Sequence, residues 1–295
     1  MCGIAGLFHP GTPKPVEPAR IARMIDTLAH RGPDGEGVWT APGVGLGHRR
    51  LSIIDVAGSP QPMRDGALTV TYNGEIYNFA ELREALTAKG ARFRTQGDTE
   101  VLLHGWRAWG PGMLERLNGM FAFALHDADA QSLFLARDRL GVKPLHYVEL
   151  ADGAVAFASE LKGLLAHPLV RRAPDLRAVE DFLAWGYVPD DACIVAGVRK
   201  LAAGHFLLLE RGKPVPRERR WWQISFAERA RLDAGAGGGT DGPPADRRAQ
   251  PHGRRRAAGR VPVGRRRQLR GGGADGGGEP PCGEDLHDRL RRGGA

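Results

Sequence analysis

Cysteine is scarce in this chain. Its three residues, Cys2, Cys193 and Cys282 in a sequence of 295, are an odd number at wide spacings, which excludes a disulfide framework and a zinc site. A reducing cytoplasm is the expected compartment. Long apolar runs are missing as well: no segment approaches the roughly 20 apolar residues that span a bilayer, so no membrane partner is expected. The opening MCGIAGLFHP lacks a basic region and a long enough apolar stretch for a secretion signal. Beyond Lys213 there is no lysine, and beyond Phe226 no aromatic residue.

These last absences divide the chain. Residues 229–295 hold 17 Gly and 15 Arg but only six Leu or Val, too little apolar surface to offset the entropy of ordering. A disordered Gly/Arg-rich tail is expected there. Residues 1–228 carry 27 Lys and Arg against 26 Asp and Glu, whereas the tail carries 15 against 8. The basic balance therefore sits in the tail, and the body gives no electrostatic reason to expect nucleic acid as a partner.

What the body does contain is patterned. GIAGLF (residues 3–8) reads as a short buried strand, and Ile21, Met24, Ile25 and Leu28 follow the spacing of an amphipathic helix that Gly32-Pro33 would end. Val44, Leu46 and His48 lead into residues 50–54 as one strand pattern, and LTVTY (68–72) is another. Helices are expected near 79–89, closed by Gly90, and near 98–108, with Asp98 or Thr99 capping the first turn. From 120 to 159 four β-like runs follow one another (MFAFAL, SLFLAR, LHYVEL, AVAFAS), then a helical LRAVEDFLAW and a last strand, GHFLLL. Helices and strands in separate runs predict an α+β layered fold with antiparallel sheets.

The first candidate for chemistry is Cys2. Taken alone, a cysteine at position 2 is an arbitrary residue at a chain end. With Met1 trimmed, however, its own α-amino group, with a pKa near 7.7–8, could take the thiol proton and supply the reactive thiolate.

Seven segments then fall in order: MCGIAG (1–6), HRGPDG (30–35), HRRLSIID (48–55), YNGEIYN (72–78), GDTE (97–100), GMFAFA (119–124) and ARDRLGVKPL (136–145). With ASELKGLL (158–165) and VRKL (198–201), the chain from Met1 to about Phe226 closely resembles the N-terminal glutaminase domain of glutamine-hydrolysing asparagine synthetase, a class II glutamine amidotransferase. The resemblance implies an N-terminal-nucleophile hydrolase domain at 2–228. Its fold would be a four-layer αββα sandwich of two antiparallel sheets. His146 departs from the family, which more often has tyrosine there.

The resemblance also implies roles. Cys2 would attack the amide carbon of glutamine, the expected small-molecule substrate, and its α-amine would shuttle protons. Asn73 and Gly74 would form an oxyanion hole, from a side-chain amide and a backbone N–H; between β-like stretches the pair also reads as a type I′ turn that aims both donors. Arg50 and Asp98 would hold the α-carboxylate and α-ammonium, although alone they read as a strand-edge arginine and a helix N-cap. Leu51, Ser52, Ile53, Ile54 and Glu75 would complete the pocket. Arg137-Asp138 and Glu160-x-Lys162 read as structural pairs or domain contacts. No His-x-x-x-His or Cys-x-x-Cys spacing occurs, so no metal site is expected at His30 or His48.

No cofactor is expected for the glutaminase half. In the family a synthetase domain follows and uses ATP and Mg²⁺ at a Ser-Gly-Gly-x-Asp-Ser loop; GGGADGGG (271–278) has no serine and no preceding strand pattern. The tail therefore reads as a synthetase coding region translated out of frame, leaving a chain competent for glutamine hydrolysis only. Two other readings stand: an asparagine synthetase-like amidotransferase of surface polysaccharide biosynthesis, and a non-catalytic product whose Arg/Gly tail binds RNA, though that tail lacks base-stacking aromatics. A homodimer is left open.

Overall fold

The computed structural model describes residues 1–55 and 58–225. The expected tail at 229–295, with Cys282, lies outside the described residues. The strands are β1 (Gly3–Phe8), β2 (Gly35–Ala41), β3 (Val44–Arg50), β4 (Met63–Asp65), β5 (Leu68–Ile76), β6 (Gly119–Asp127), β7 (Ser132–Arg137), β8 (His146–Glu149), β9 (Val155–Ala158), β10 (Arg199–Lys200), β11 (His205–Glu210) and β12 (Arg219–Arg220). The α-helices are α1 (Pro18–Asp26), α2 (Phe79–Thr87), α3 (Thr99–Trp109), α4 (Met113–Arg116), α5 (Leu161–Leu165) and α6 (Leu176–Trp185).

The strands form two sheets, ordered β10-β8-β9-β1-β3-β2 and β12-β11-β7-β6-β5-β4, and every strand pair in them is antiparallel. Three apolar layers hold the stack together. Ile4, Phe8, Leu46, Leu133, Leu135, Phe157 and Leu207 fill the space between the sheets. On the outer face of the first sheet, Ile21, Met24 and Ile25 of α1 pack with Leu164 of α5 against Ala5, Leu7 and Ala156. On the outer face of the second, Leu82 and Leu86 of α2 and Val101, Leu102 and Leu103 of α3 meet Val70, Tyr72, Phe121 and Phe123. The expected helix–sheet–sheet–helix order is therefore the fold. Each fully buried aliphatic side chain contributes about 1.5–3 kcal/mol relative to exposure. No helix among the described residues is long and apolar enough to cross a membrane.

Several local expectations shift. α1 stops at Asp26, before Gly32-Pro33, and a 3₁₀ turn at Ala29–Arg31 carries the chain on. β3 ends at Arg50, and residues 51–54 form a loop instead of continuing the strand, because no neighbour pairs with them beyond the Gly35–Arg50 position. β2, with its glycines and mixed burial, has no clear period in sequence; it forms because β3 offers it a free edge. Asn73-Gly74 is not a turn. Both residues lie inside β5, opposite Ala122 and Phe121 of β6.

Candidate active site

The register of the first sheet places the nucleophile candidate. Gly3 of β1 lies opposite Arg49 of β3, so the next position outward sets Cys2 opposite Arg50. There the Leu51 N–H donates to Cys2 Sγ at 3.4 Å, and the thiol faces the Leu51 carbonyl at 3.6 Å. The Cys2 carbonyl accepts from Arg31 Nε at 2.9 Å, and the buried guanidinium of Arg31 is held in turn by Glu160 at 2.7 Å. Glu160 also reaches His30 at 3.1 Å and Lys162 at 3.4 Å. The structural-pair reading of Glu160-x-Lys162 thus gains a purpose, since the pair anchors the residue that grips the Cys2 backbone.

The second sheet supplies the opposite wall. β5 pairs with β4 only over Leu68–Val70, so its edge is open from residue 71 onward. Strand alternation sends the N–H groups of Tyr72, Gly74 and Ile76 to that edge. Tyr72 N–H is taken by Gln61 Oε1 at 2.7 Å and Ile76 N–H by Asp98 Oδ2 at 3.0 Å, which leaves Gly74 N–H between them facing the cavity. Packing requires glycine at 74: a Cβ there would collide with the Met120 carbonyl oxygen and lie 2.8 Å from Phe121 Cα. The neighbouring Asn73 is only 1% exposed, and its Nδ2 has no hydrogen-bond partner among the described residues. A buried amide donor left unmade costs about 1–3 kcal/mol, so its retention calls for a ligand.

Asp98 occupies the N-cap position of α3 but does not cap it; its Oδ2 instead accepts from Tyr72 Oη at 2.7 Å and from Ile76 N–H. The rest of this junction is held by Glu100, buried in α3, which accepts from Arg94 N–H, Thr95 N–H and Thr95 Oγ1. Arg50 leaves the end of β3 and donates from Nη2 to the Asp55 carbonyl at 2.7 Å. Asp55, at φ 48°, accepts from Gly58 N–H, Ser59 Oγ and Gln96 N–H and so ties the loop after β3 to the loop before α3.

These groups converge on one cavity of about 140 Å³. Cys2, Arg50, Leu51, Ile53, Ile54, Asn73, Gly74, Glu75 and Asp98 all line it. Ser52 does not; its N–H turns away to Asp34 at 2.8 Å. Sequence reasoning missed Gln61, Tyr72 and Lys143, also in the wall. Tyr72 and Lys143 stand within recognised motifs, but Gln61 carries no local signal.

Burial sets the electrostatics. It pushes the Cys2 thiol up from its ordinary value, opposed by the Leu51 N–H and the Arg50 charge, and it pushes the Asp98 carboxyl up despite the Ile76 and Tyr72 donors. Tyr72 is raised well beyond a free phenol by burial and by Asp98. His48, fully buried between the sheets with Nδ1 on Thr71 Oγ1, is pushed down to about 3. A neutral imidazole locked there is not a base for the pocket. Among the described residues no group of three His, Cys, Asp or Glu side chains could hold a metal ion.

Comparison with known proteins follows the same boundary. A model of the glutamine amidotransferase domain matches residues 1–222. Asparagine synthetase [glutamine-hydrolyzing] 3 of Bacillus subtilis is 39% identical over 213 residues, covering 70% of this chain and 34% of that protein. A putative asparagine synthetase [glutamine-hydrolyzing] of Mycobacterium tuberculosis strain H37Rv is 42% identical over 224 residues, with the same coverage of 70% and 34%. The chain thus spans about a third of the length of these curated relatives. Among solved structures, the fold matches the glutamine phosphoribosylpyrophosphate amidotransferase of B. subtilis at TM-score 0.52 and 19% identity, over 76% of this chain and 50% of that one. A structure titled as the allosteric regulatory enzyme of purine biosynthesis matches at TM-score 0.56 and 20% identity, over 76% and 50%.

Proposed function

The chain belongs to the glutamine amidotransferase family, and from that membership we propose that its pocket hydrolyses the side-chain amide of glutamine through a thioester on Cys2. One observation carries the reading: a buried Asn73 amide with an unmade hydrogen bond lines the same small cavity as the cysteine. With Met1 removed, the α-amine of Cys2 takes the thiol proton and the sulfur attacks the amide carbon. The carbonyl oxygen becomes an oxyanion, received by Asn73 Nδ2–H and Gly74 N–H. Each such donor is typically worth about 2.7–4 kcal/mol of transition-state stabilisation. The protonated amine then gives its proton to the departing nitrogen, and ammonia leaves. Water, deprotonated by the same amine, attacks the thioester to release glutamate and restore the thiol.

Arg50 and Asp98 hold the two charges of the amino acid. Asp98 is suited to an ammonium because burial has destabilised its charge, which an incoming cation restores. Ile53 and Ile54 supply apolar wall, and Glu75 the polar rim. A glutamate-release assay on the purified protein beside Cys2→Ala tests the assignment; equal rates would sink it.

The ammonia goes to aspartate in this reading, as the names of the relatives suggest. ATP and Mg²⁺ belong to that amidation and enter no step of the glutamine half-reaction. An acceptor in surface polysaccharide assembly is the second assignment within the same chemistry. Residues 2–228 form the glutaminase domain and 229–295 an out-of-frame continuation, placed in a reducing cytoplasm. Reading the source gene in its other two frames past about codon 230 tests the tail: absence of a Ser-Gly-Gly-x-Asp-Ser loop there removes the frameshift.

A further inference from the structure

Lys143 is a buried cation whose one hydrogen-bond partner among the described residues is Met1, the residue whose removal would free the Cys2 amine. It follows β7 in a tight loop organised by Asp138, whose carboxylate accepts from the N–H groups of Phe121, Leu140, Val142 and Lys143 itself. Arg137 locks the same loop, donating to the Lys143 and Gly141 carbonyls at 2.9 and 2.7 Å. So much ordering of a six-residue turn fixes the lysine stem, which reaches the active cavity with the residue only 4% exposed. Its ammonium donates to Met1 Sδ at 3.1 Å. Among the described residues it has no other hydrogen-bond partner and no carboxylate at ion-pair distance. A thioether is a weak acceptor and an ammonium a strong, heavily hydrated donor, so as a structural arrangement this is a poor one.

The arrangement makes sense as chemistry. Met1 is bonded to the Cys2 nitrogen at one end and touches Lys143 at the other, so the nitrogen that becomes the α-amine lies within one methionine's reach of the ammonium. We propose that, once Met1 is gone, Lys143 serves as the positioning charge of the Cys2 pair: its ammonium keeps the neighbouring α-amine in the unprotonated, basic form and favours the thiolate over the thiol. The proposal rests on Cys2 being the nucleophile.

The sign is the same for both groups. A nearby cation disfavours protonation of an amine and favours ionisation of a thiol, and each effect lowers the group's pKa. Burial works against the thiol, pushing it up, and the Asp98 charge adds to it, so a compensating charge is needed at this place. The charges that face Lys143 are Arg31 from the turn after α1, Glu75 from β5, Asp138 from its own loop and Cys2 itself; Arg50 and Asp98 act on Cys2 as well. Burial also pushes the Lys143 ammonium down from the ordinary lysine value, which keeps its charge responsive to these neighbours.

The test reads the thiol, not turnover. Alkylation of Cys2 by iodoacetamide, followed on its own peptide by mass spectrometry across pH 5–10, is compared for the processed wild type, Lys143→Met and Lys143→Arg. Lys143→Met keeps the stem and removes the charge. It should move the alkylation profile, and the acid limb of kcat/KM, up by about 0.5–1 pH unit, a three- to tenfold loss at the steep part of the curve. Lys143→Arg should restore the wild-type profile. An unchanged profile in Lys143→Met overturns the proposal. If that variant does not fold, the Nζ resonance of ¹⁵N-lysine-labelled wild type, assigned with Lys143→Arg, is titrated before and after capping of Cys2: a downward shift on capping supports the coupling, and an unmoved titration overturns it. Because alkylation needs no glutamine, failure here is distinct from failure of the glutaminase reading, which Cys2→Ala decides.

Discussion

Two buried polar regions lie almost against each other, and they are built on opposite rules. At the end of β7 two charges are fully answered: Asp138 collects four N–H donors, and Arg137 is spent on the carbonyls of Lys143, Gly141 and Leu201 with Asp190 beyond. In the adjoining cavity bonds are left open. Among the described residues Asn73 Nδ2 has no partner and Cys2 Sγ has only long sulfur contacts; Asp98 is buried against its charge, and Lys143 holds a thioether. The satisfied region is structural, and the unsatisfied one lines the proposed glutamine pocket, where a ligand would complete the open bonds.

Substitutions should separate the two. The largest divergence is expected at Asn73: Asn73→Ala should lower kcat for glutamate release by about 10²–10³ while a thermal melt stays near the wild type, since the side chain it removes was unpaired. Asp138→Ala should do the reverse to stability, costing at least about 3 kcal/mol in urea denaturation as its four donors lose their acceptor. A preserved midpoint there would break the contrast. KM for glutamine should rise as pH falls, with a midpoint above the ordinary carboxylate value, because the folded-state pKa of Asp98 is raised; Asp98→Asn should abolish that dependence.

The histidines sharpen the comparison from the structural side. His126, between the sheets beside Trp39, has both ring nitrogens unpartnered among the described residues and is pushed down to about 4 by burial, as are His146 and His167. Their folded pKa values lie below the ordinary imidazole value of about 6.5, so the unfolded chain binds the extra protons. Stability is therefore intact above about pH 6.5 and falls as pH drops toward 4, by about 1.4 kcal/mol per pH unit for each proton. His126→Leu should flatten the slope by up to one proton without loss at neutral pH. Smallest of all, Asp26→Ala, which removes one of two exposed acidic partners of Arg49, should change stability by less than about 1 kcal/mol.

Much of this was legible beforehand because it is written in local patterns. The buried runs of β1, β6, β7 and β9, the apolar stripe of α1 and the motif order around Cys2, Arg50 and Asp98 need only neighbours within a few residues to be read. The misreadings share one cause. Asn-Gly is the strongest short-range turn signal, yet at 73–74 it lost to nine residues of pairing with β6. Asp98 has a capping residue's place but was claimed by Tyr72 and Ile76 from a strand more than twenty residues away. Ser52 matches the pocket motif but faces Asp34.

By itself, then, the sequence determined the layered α+β class and the family, and it singled out the proposed nucleophile and its charged companions, since periodicity and motif order survive without coordinates. Only the tertiary structure decided which edge of β5 stays open, why residue 74 must be glycine, that Gln61 and Lys143 enter the wall, and that Asn73 is left with a donor to give. Those facts depend on which strand stops pairing and where a distant carbonyl or carboxylate falls, and no run of neighbouring residues encodes that.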